Sequence, residues 1–251
     1  MTMSAAPMVT EGEAPKASAV SRVRTYVAGF DEALSGGIPK GSVVLVAGGP
    51  GTMKTALTFS VLYNNVRAGS KALYISLEES QAALRAAMAD FGMAGLDDLE
   101  LYVLDIGKIR LEHKDEEMSK NWMEILQKYI EQRVRVNGFD LVALDSLGAL
   151  YGLSPLEYPR RDLFHFLGFL RSLDATTFLV SEVPSGQGGR LGTHDEEFLC
   201  DGIFHLKHVE RGDTVQLWLR CVKMRRTRHA PGYFALLHRD GRFAVASAIS
   251  E

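Results

Sequence analysis

Gly48-Gly49-Pro50-Gly51-Thr52-Met53-Lys54-Thr55 gathers residues without bulky side chains, one ammonium and one hydroxyl into a single short stretch. That set suits the grip of a polyphosphate. Glycines let main-chain amides approach the anion, a lysine neutralises its terminal oxygens, and a hydroxyl joins the shell of a divalent cation. On this reading Gly49 and Gly51 admit the backbone, Lys54 meets the β and γ phosphate oxygens of ATP, and Thr55 ligates Mg2+. Gly48, Pro50, Thr52, Met53 and Ala56 complete the binding segment. Met53 stands where the usual pattern has a second glycine. If that position needs a positive φ, a methionine there is strained by about 1 kcal/mol. Weaker or slower use of ATP is then expected, and not loss of binding.

Two acidic features lie farther along. The run KALYISL ends in Glu78-Glu79, and FDLVALDS ends in Asp145-Ser146. An aspartate closing a buried apolar run holds Mg2+ directly or through water, and one of two adjacent glutamates at a strand end can polarise an attacking water. Like charges side by side raise the pKa of one carboxyl toward a useful value, with Glu78 the first candidate and Glu79 its neighbour. TTFLVSE supplies Ser181 and Glu182 at a corresponding strand end, candidates for sensing the γ phosphate.

These residues need a scaffold that brings several strand ends to one edge. From Ser42 the run VVLVA has the length and β-branched content of a buried strand, and GGPGTMKT leads from it into an apolar-periodic stretch ending near Arg67. Strand and helix then alternate: KALYISL, SQAALRAAMADFGM, LELYVLD, NWMEILQKYIEQRVRV, FDLVALD, PRRDLFHFLGFLRSLD and TTFLVSE. Such alternation predicts an α/β fold, a mainly parallel twisted sheet with helices on both faces. Four closing runs, GIFHLKHVE, DTVQLWLRCVKMR, GYFALLHRD and GRFAVAS, are separated by turn residues and predict a C-terminal antiparallel hairpin extension. Phe164, Phe166 and Phe169, with Trp122 and Trp218, are expected in the core. Residues 1–22, rich in Ala, Ser, Pro and Met, are expected to form a flexible tail ahead of a single domain over 23–251.

Together the segments resemble the KaiC family of RecA-like P-loop ATPases. The resemblance runs from about residue 24 to 248, through YVAGFDEALSGGIPKGSVVLVAG, GPGTMKT, the strand ending in LEES, LVALDS, GTHDEEFLCDG and VKMRRTRHAPG. It implies a RecA-like fold, ATP and Mg2+ as ligands, Glu78 and Glu79 in the catalytic position and Asp145 in the Mg2+ position. It further implies that Lys223 and Arg225 reach the nucleotide of an adjacent subunit as trans-acting fingers, although Arg226 replaces the family's usual glycine in that stretch. A finger delivered in trans requires neighbours, and a heterologous interface that closes makes a ring, so a homohexamer is expected.

Composition narrows the partners. The 28 Lys and Arg against 31 Asp and Glu give a net charge of -3, which offers no global attraction to nucleic acid or anionic membrane. No run of 18 apolar residues is present, so no membrane partner is expected, and with two cysteines, Cys200 and Cys221, a reducing, cytoplasmic setting fits. The histidines show no metal-site spacing. Three functions are consistent with the residues: a regulatory ATPase acting as a ring, with autokinase activity an open addition; an ATP-dependent binder of single-stranded DNA through the loop between Val183 and Glu196; and a nucleotide-sensing signalling regulator with a protein partner and little hydrolysis.

Overall fold

The structure, a computed structural model, describes residues 20–107, 122–154, 156–183 and 190–247. Of the expected tail, residues 1–19 lie outside the described residues, and Arg22 already pairs with Pro39, joining β1 (Arg22–Val23) to β2 (Ile38–Pro39). The short helix α1 (Phe30–Ala33) lies between them in sequence.

The centre of the molecule is β3 (Val43–Gly48), all six of whose residues are buried. Its alternate side chains serve two different cores: Val44 and Val46 point to one face, Val43, Leu45 and Ala47 to the other. A strand covered on both faces has no polar side, which is why the sequence reads VVLVA without alternation. Burying each Val or Leu there contributes about 1.5–3 kcal/mol.

Around β3 the chain builds α2 (Lys54–Arg67), β4 (Ala72–Ser76), α3 (Gln81–Asp90), β5 (Leu101–Asp105), α4 (Trp122–Asn137) and β6 (Leu141–Asp145). It continues with α5 (Leu147–Leu153), α6 (Pro159–Ser172), β7 (Thr176–Glu182), α7 (Glu196–Leu199), β8 (Gly202–Arg211), β9 (Thr214–Met224), β10 (Phe234–Arg239) and β11 (Arg242–Ser247). A nine-stranded sheet runs in the order β11-β10-β9-β8-β3-β7-β6-β4-β5. The six strands from β8 to β5 are parallel to their neighbours, and β9, β10 and β11 close the other side as antiparallel hairpins. The expected fold class is therefore the observed one.

One face of the sheet packs against α2, α3 and the N-terminal segment, the other against α4, α5 and α6. α5 and α7 were not foreseen from the sequence, since both are too short to display a helical period. The expected phenylalanine cluster divides. Phe166 is fully buried, but Phe164 is 60% exposed, because two positions along a helix turn the side chain to nearly the opposite side.

Candidate functional site

Parallel strands bring their carboxyl ends to one edge, and there β3, β4, β6 and β7 deliver Gly48, Ser76, Asp145 and Glu182 side by side. The loop after β3 folds back on itself. The Thr52 hydroxyl donates to the Gly49 carbonyl at 2.7 Å and the Lys54 ammonium donates to the same oxygen at 2.9 Å. Gly48 is required by packing, since a Cβ would stand 2.6 Å from the Leu206 carbonyl oxygen and 2.6 Å from Thr52 Oγ1. A Cβ on Gly49 would stand in open space, clear of its non-neighbouring residues, so packing among the described residues does not require a glycine there. Met53 adopts φ 60 and ψ 27, the left-handed conformation in which a methionine is strained.

Met53 stands at the N-cap of α2 without a side-chain acceptor for the first helical amides, and no acidic residue occupies the first turn. Those amides and the positive helix end face the loop, the arrangement that attracts phosphate. Burial pulls the Lys54 ammonium below its ordinary pKa, against the opposing pull of Glu182, Asp145 and Glu78 in that order. Glu182, which lies opposite Gly48 in the β3–β7 register, is thus the carboxylate that acts most strongly on the lysine.

Thr55 and Asp145, far apart in sequence, meet here: Thr55 Oγ1 donates to Asp145 Oδ2 at 2.7 Å. A hydroxyl and one carboxylate oxygen at that separation are hard oxygen donors of the kind Mg2+ takes when phosphates and waters fill its remaining positions. Among the described residues no group of three His, Cys, Asp or Glu is placed to hold a metal ion.

Sequence reasoning missed Tyr74. This fully buried side chain on β4 donates its hydroxyl to the same Asp145 oxygen at 2.5 Å. Burial first, and the aspartate second, push the phenol well above its ordinary pKa, so it remains a donor. Burial likewise raises Asp145, while the hydrogen bonds from Tyr74 and Thr55 pull it back down. A tyrosine in the run KALYISL reads as one more apolar strand residue, and only the β4–β6 pairing reveals its partner.

Glu78 is exposed at the same edge, and its Oε1 accepts a 2.5 Å hydrogen bond from the Ser146 hydroxyl, which also caps α5 by accepting from Ala149 N at 3.3 Å. Glu79 is held through its backbone, since Ser76 Oγ donates to its carbonyl at 2.6 Å and accepts from its amide at 3.1 Å. Of the pair, Glu78 has the fixed carboxylate. His208 on β8 sits beside the loop, its Cε1 3.7 Å from where a Cβ on Gly51 would stand.

Lys223 and Arg225 are not brought to this edge. Lys223 lies opposite Ile203, which pairs with Leu45, three residues short of Gly48 and about 10 Å down the strand. Its ammonium donates to the carbonyls of Glu197 at 3.2 Å and Phe198 at 3.5 Å. Arg225 Nη1 donates to Asp201 Oδ1 at 2.9 Å, while Asp201 Oδ2 accepts from Val43 N at 3.0 Å and from Arg171 Nε at 3.1 Å. Arg226 has φ 57, a left-handed residue as the usual glycine would be. The loop Pro184 to Gly189, proposed above as a DNA contact, lies outside the described residues.

Comparison with known proteins fits this geometry. Residues 23–239 match the family model described as the KaiC ATPase. The chain is 32% identical over 235 residues to a UPF0273 protein of Pyrobaculum aerophilum, covering 88% of this chain and 81% of that protein. It is 29% identical over 238 residues to the circadian clock oscillator protein KaiC 1 of Synechocystis, covering 91% of this chain but only 45% of the relative. Among solved structures, a KaiC-like protein of the hyperthermophilic archaeon Pyrococcus horikoshii superposes with a TM-score of 0.76 at 26% identity, covering 91% of this chain and 100% of that one.

Proposed function

The chain belongs to the KaiC ATPase family, and from that premise we propose that it binds ATP with Mg2+ along residues 48–56 and hydrolyses it in a ring of identical subunits. The observation that carries the reading is the 2.7 Å contact of Thr55 with Asp145 at the foot of the glycine loop. A residue of α2 and one at the end of β6 meet there in the donor set a nucleotide-bound Mg2+ requires.

When bound, the metal ion supplies Lewis-acid polarisation of the phosphates. The chain's own groups do the rest. Thr55 and Asp145 are the residues that would hold the ion, and Tyr74 keeps the aspartate oriented. Lys54, now folded onto the Gly49 carbonyl, swings to the β and γ phosphate oxygens and exchanges a neutral acceptor for a charged one. Glu78, oriented by Ser146, accepts a hydrogen bond from the attacking water, and Glu79 supplies the adjacent negative charge. Lys223 and Arg225 point away from the site of their own chain, and a cation donated to a neighbour's γ phosphate stabilises the charge of the transition state. The active site of a ring then lies between subunits.

Phosphate release, calorimetric ATP binding and mass photometry with ATP and Mg2+ on the same sample test the reading. We expect a ring of identical chains, measurable turnover, and a loss of roughly 100-fold or more in Glu78→Gln with nucleotide still bound; Glu79→Gln should lose less. Absence of binding heat in folded protein, unchanged in Lys54→Ala, would remove the reading altogether. The signalling-regulator alternative has one observation in its favour, the strained Met53, which is consistent with slow turnover. Robust hydrolysis by the wild type would dismiss it.

A further inference from the structure

The edge of the molecule farthest from β5 carries a cavity of about 560 Å3 that the nucleotide reading does not use. The N-terminal segment adds itself to the outermost strand there, Ala28 N donating to Phe243 O at 3.0 Å and Val245 N to Ala28 O at 2.8 Å. The cavity lies between this segment, the last turns of α2 and the β10–β11 hairpin.

Arginines converge on it from three separate parts of the chain: Arg24, Arg67, and the hairpin pair Arg239 and Arg242. Against these four cations the lining offers two carboxylates, Asp31 and Glu32. Asp31 is buried and already committed: its Oδ1 accepts from the Thr25 amide and hydroxyl, both at 2.7 Å, and its Oδ2 lies 3.5 Å from Arg24 Nε. Arg67 sits in the last turn of α2, where it offsets the partial negative charge of the helix end.

Arg239 and Arg242 have no such explanation. They are direct cross-strand partners in the hairpin register, and among the described residues neither has a carboxylate within ion-pair distance. Like charges directly opposite one another destabilise a hairpin, so the fold tolerates a repulsion that an anion between the two guanidinium groups would relieve. The remaining wall offers the 40% exposed Leu237 and the ring of Tyr26, over which the Arg24 guanidinium lies at 5.3 Å, above the buried Val27 and Phe243.

We propose that this cavity is a second ligand site, taking a nucleoside phosphate independently of the glycine loop. Several guanidinium forks match the several oxygens of a phosphate better than a single carboxylate does. The volume lies within the range of small-molecule pockets. The phosphate sits between Arg239, Arg242 and Arg67, and the base lies against Tyr26 and the exposed Leu237.

The test is equilibrium dialysis of the full chain against radiolabelled ADP, with Lys54→Ala and Arg239→Ala/Arg242→Ala variants alongside. Two ADP per wild-type chain are expected, one of them lost in the double arginine variant and the other lost or greatly weakened in Lys54→Ala. Arg239→Lys/Arg242→Lys keeps the charge but removes the forks, and should bind the second ADP about tenfold more weakly. The thermal midpoint of the double alanine variant without ligand should not fall below that of the wild type, because a repulsion has been removed. One ADP per chain in both the wild type and the arginine variant, lost only in Lys54→Ala, overturns this site and leaves the glycine loop standing. Loss in the arginine variant with none in Lys54→Ala does the reverse.

Discussion

The two ends of the central sheet carry different kinds of polar groups. At the carboxyl edge the polar groups satisfy one another: Lys54 on Gly49, Thr55 and Tyr74 on Asp145, Ser146 on Glu78. At the amino edge Lys223 and Arg225 are held by carbonyls of α7 and by Asp201, with no phosphate loop near them. One edge gathers carboxylates and hydroxyls around a single lysine, the other holds two cations away from that loop. The difference is the one the proposed ring requires, in which the Lys223 and Arg225 of one chain would complete the site of its neighbour.

The largest effect should come from the amino edge. Arg225→Ala is expected to cut turnover by roughly 10³–10⁵-fold while nucleotide affinity hardly moves, as for other cations delivered in trans. The lost ion pair with Asp201 should cost at most about 1 kcal/mol of stability, because Arg225 is half exposed. Mixing Arg225→Ala with Lys54→Ala chains, each inactive alone, should restore activity at about one interface in four. Failure of that complementation would put the finger out of reach and break the comparison.

Tyr74→Phe sharpens the other side. Removing the phenol leaves Thr55 as the donor to Asp145 Oδ2, and Mg2+-dependent nucleotide binding should weaken about tenfold, as when outer-shell partners of metal ligands are removed. An unchanged Mg2+ dependence would reduce the hydroxyl to a packing feature.

Met53→Gly and Arg226→Gly form a matched pair, since both native residues hold the left-handed conformation, at φ 60 and φ 57. Each substitution should raise stability by at most about 0.5 kcal/mol, since glycine's greater freedom when unfolded offsets about half or more of the roughly 1 kcal/mol of strain relieved. Only Met53→Gly should also quicken turnover or tighten ATP. Equal kinetic effects from both would show that strain, and not position beside the phosphate, sets the rate.

The smallest effect concerns the cysteines at and near the amino edge. Burial pushes the Cys200 and Cys221 thiols from 9.0 up to about 12. A thiol raised on folding contributes stability that is present below pH 9 and lost as the pH climbs toward 12. Neither should react with iodoacetamide at neutral pH in the native protein. Labelling of Cys200 upon ATP addition would mean that α7 opens when Lys223 moves.

Most strands of the sheet were legible because a run such as VVLVA or LVALD is continuous, apolar and bounded by turn residues, a local signature of burial on both faces. The glycine loop was legible as a strand-to-helix turn for the same reason, and its proposed function is carried by neighbours in sequence. Tyr74 was not, because a phenol in a buried strand announces nothing until β6 arrives beside β4. Nor was the splitting of Phe164 from Phe166, because aromatic content reports burial on average and not which side of α6 meets the sheet.

By itself the sequence determined the α/β alternation, the loop from Gly48 to Thr55 and the acidic strand ends, all properties of contiguous residues whose periodicity and chemistry are read along the chain. Only the tertiary structure decided that Thr55 and Tyr74 share one oxygen of Asp145, that Lys223 and Arg225 face away from their own loop, and that Arg24, Arg67, Arg239 and Arg242 surround one cavity. These depend on strand order and register, which are set by the packing of distant segments against one another and leave no local trace in the residues they unite.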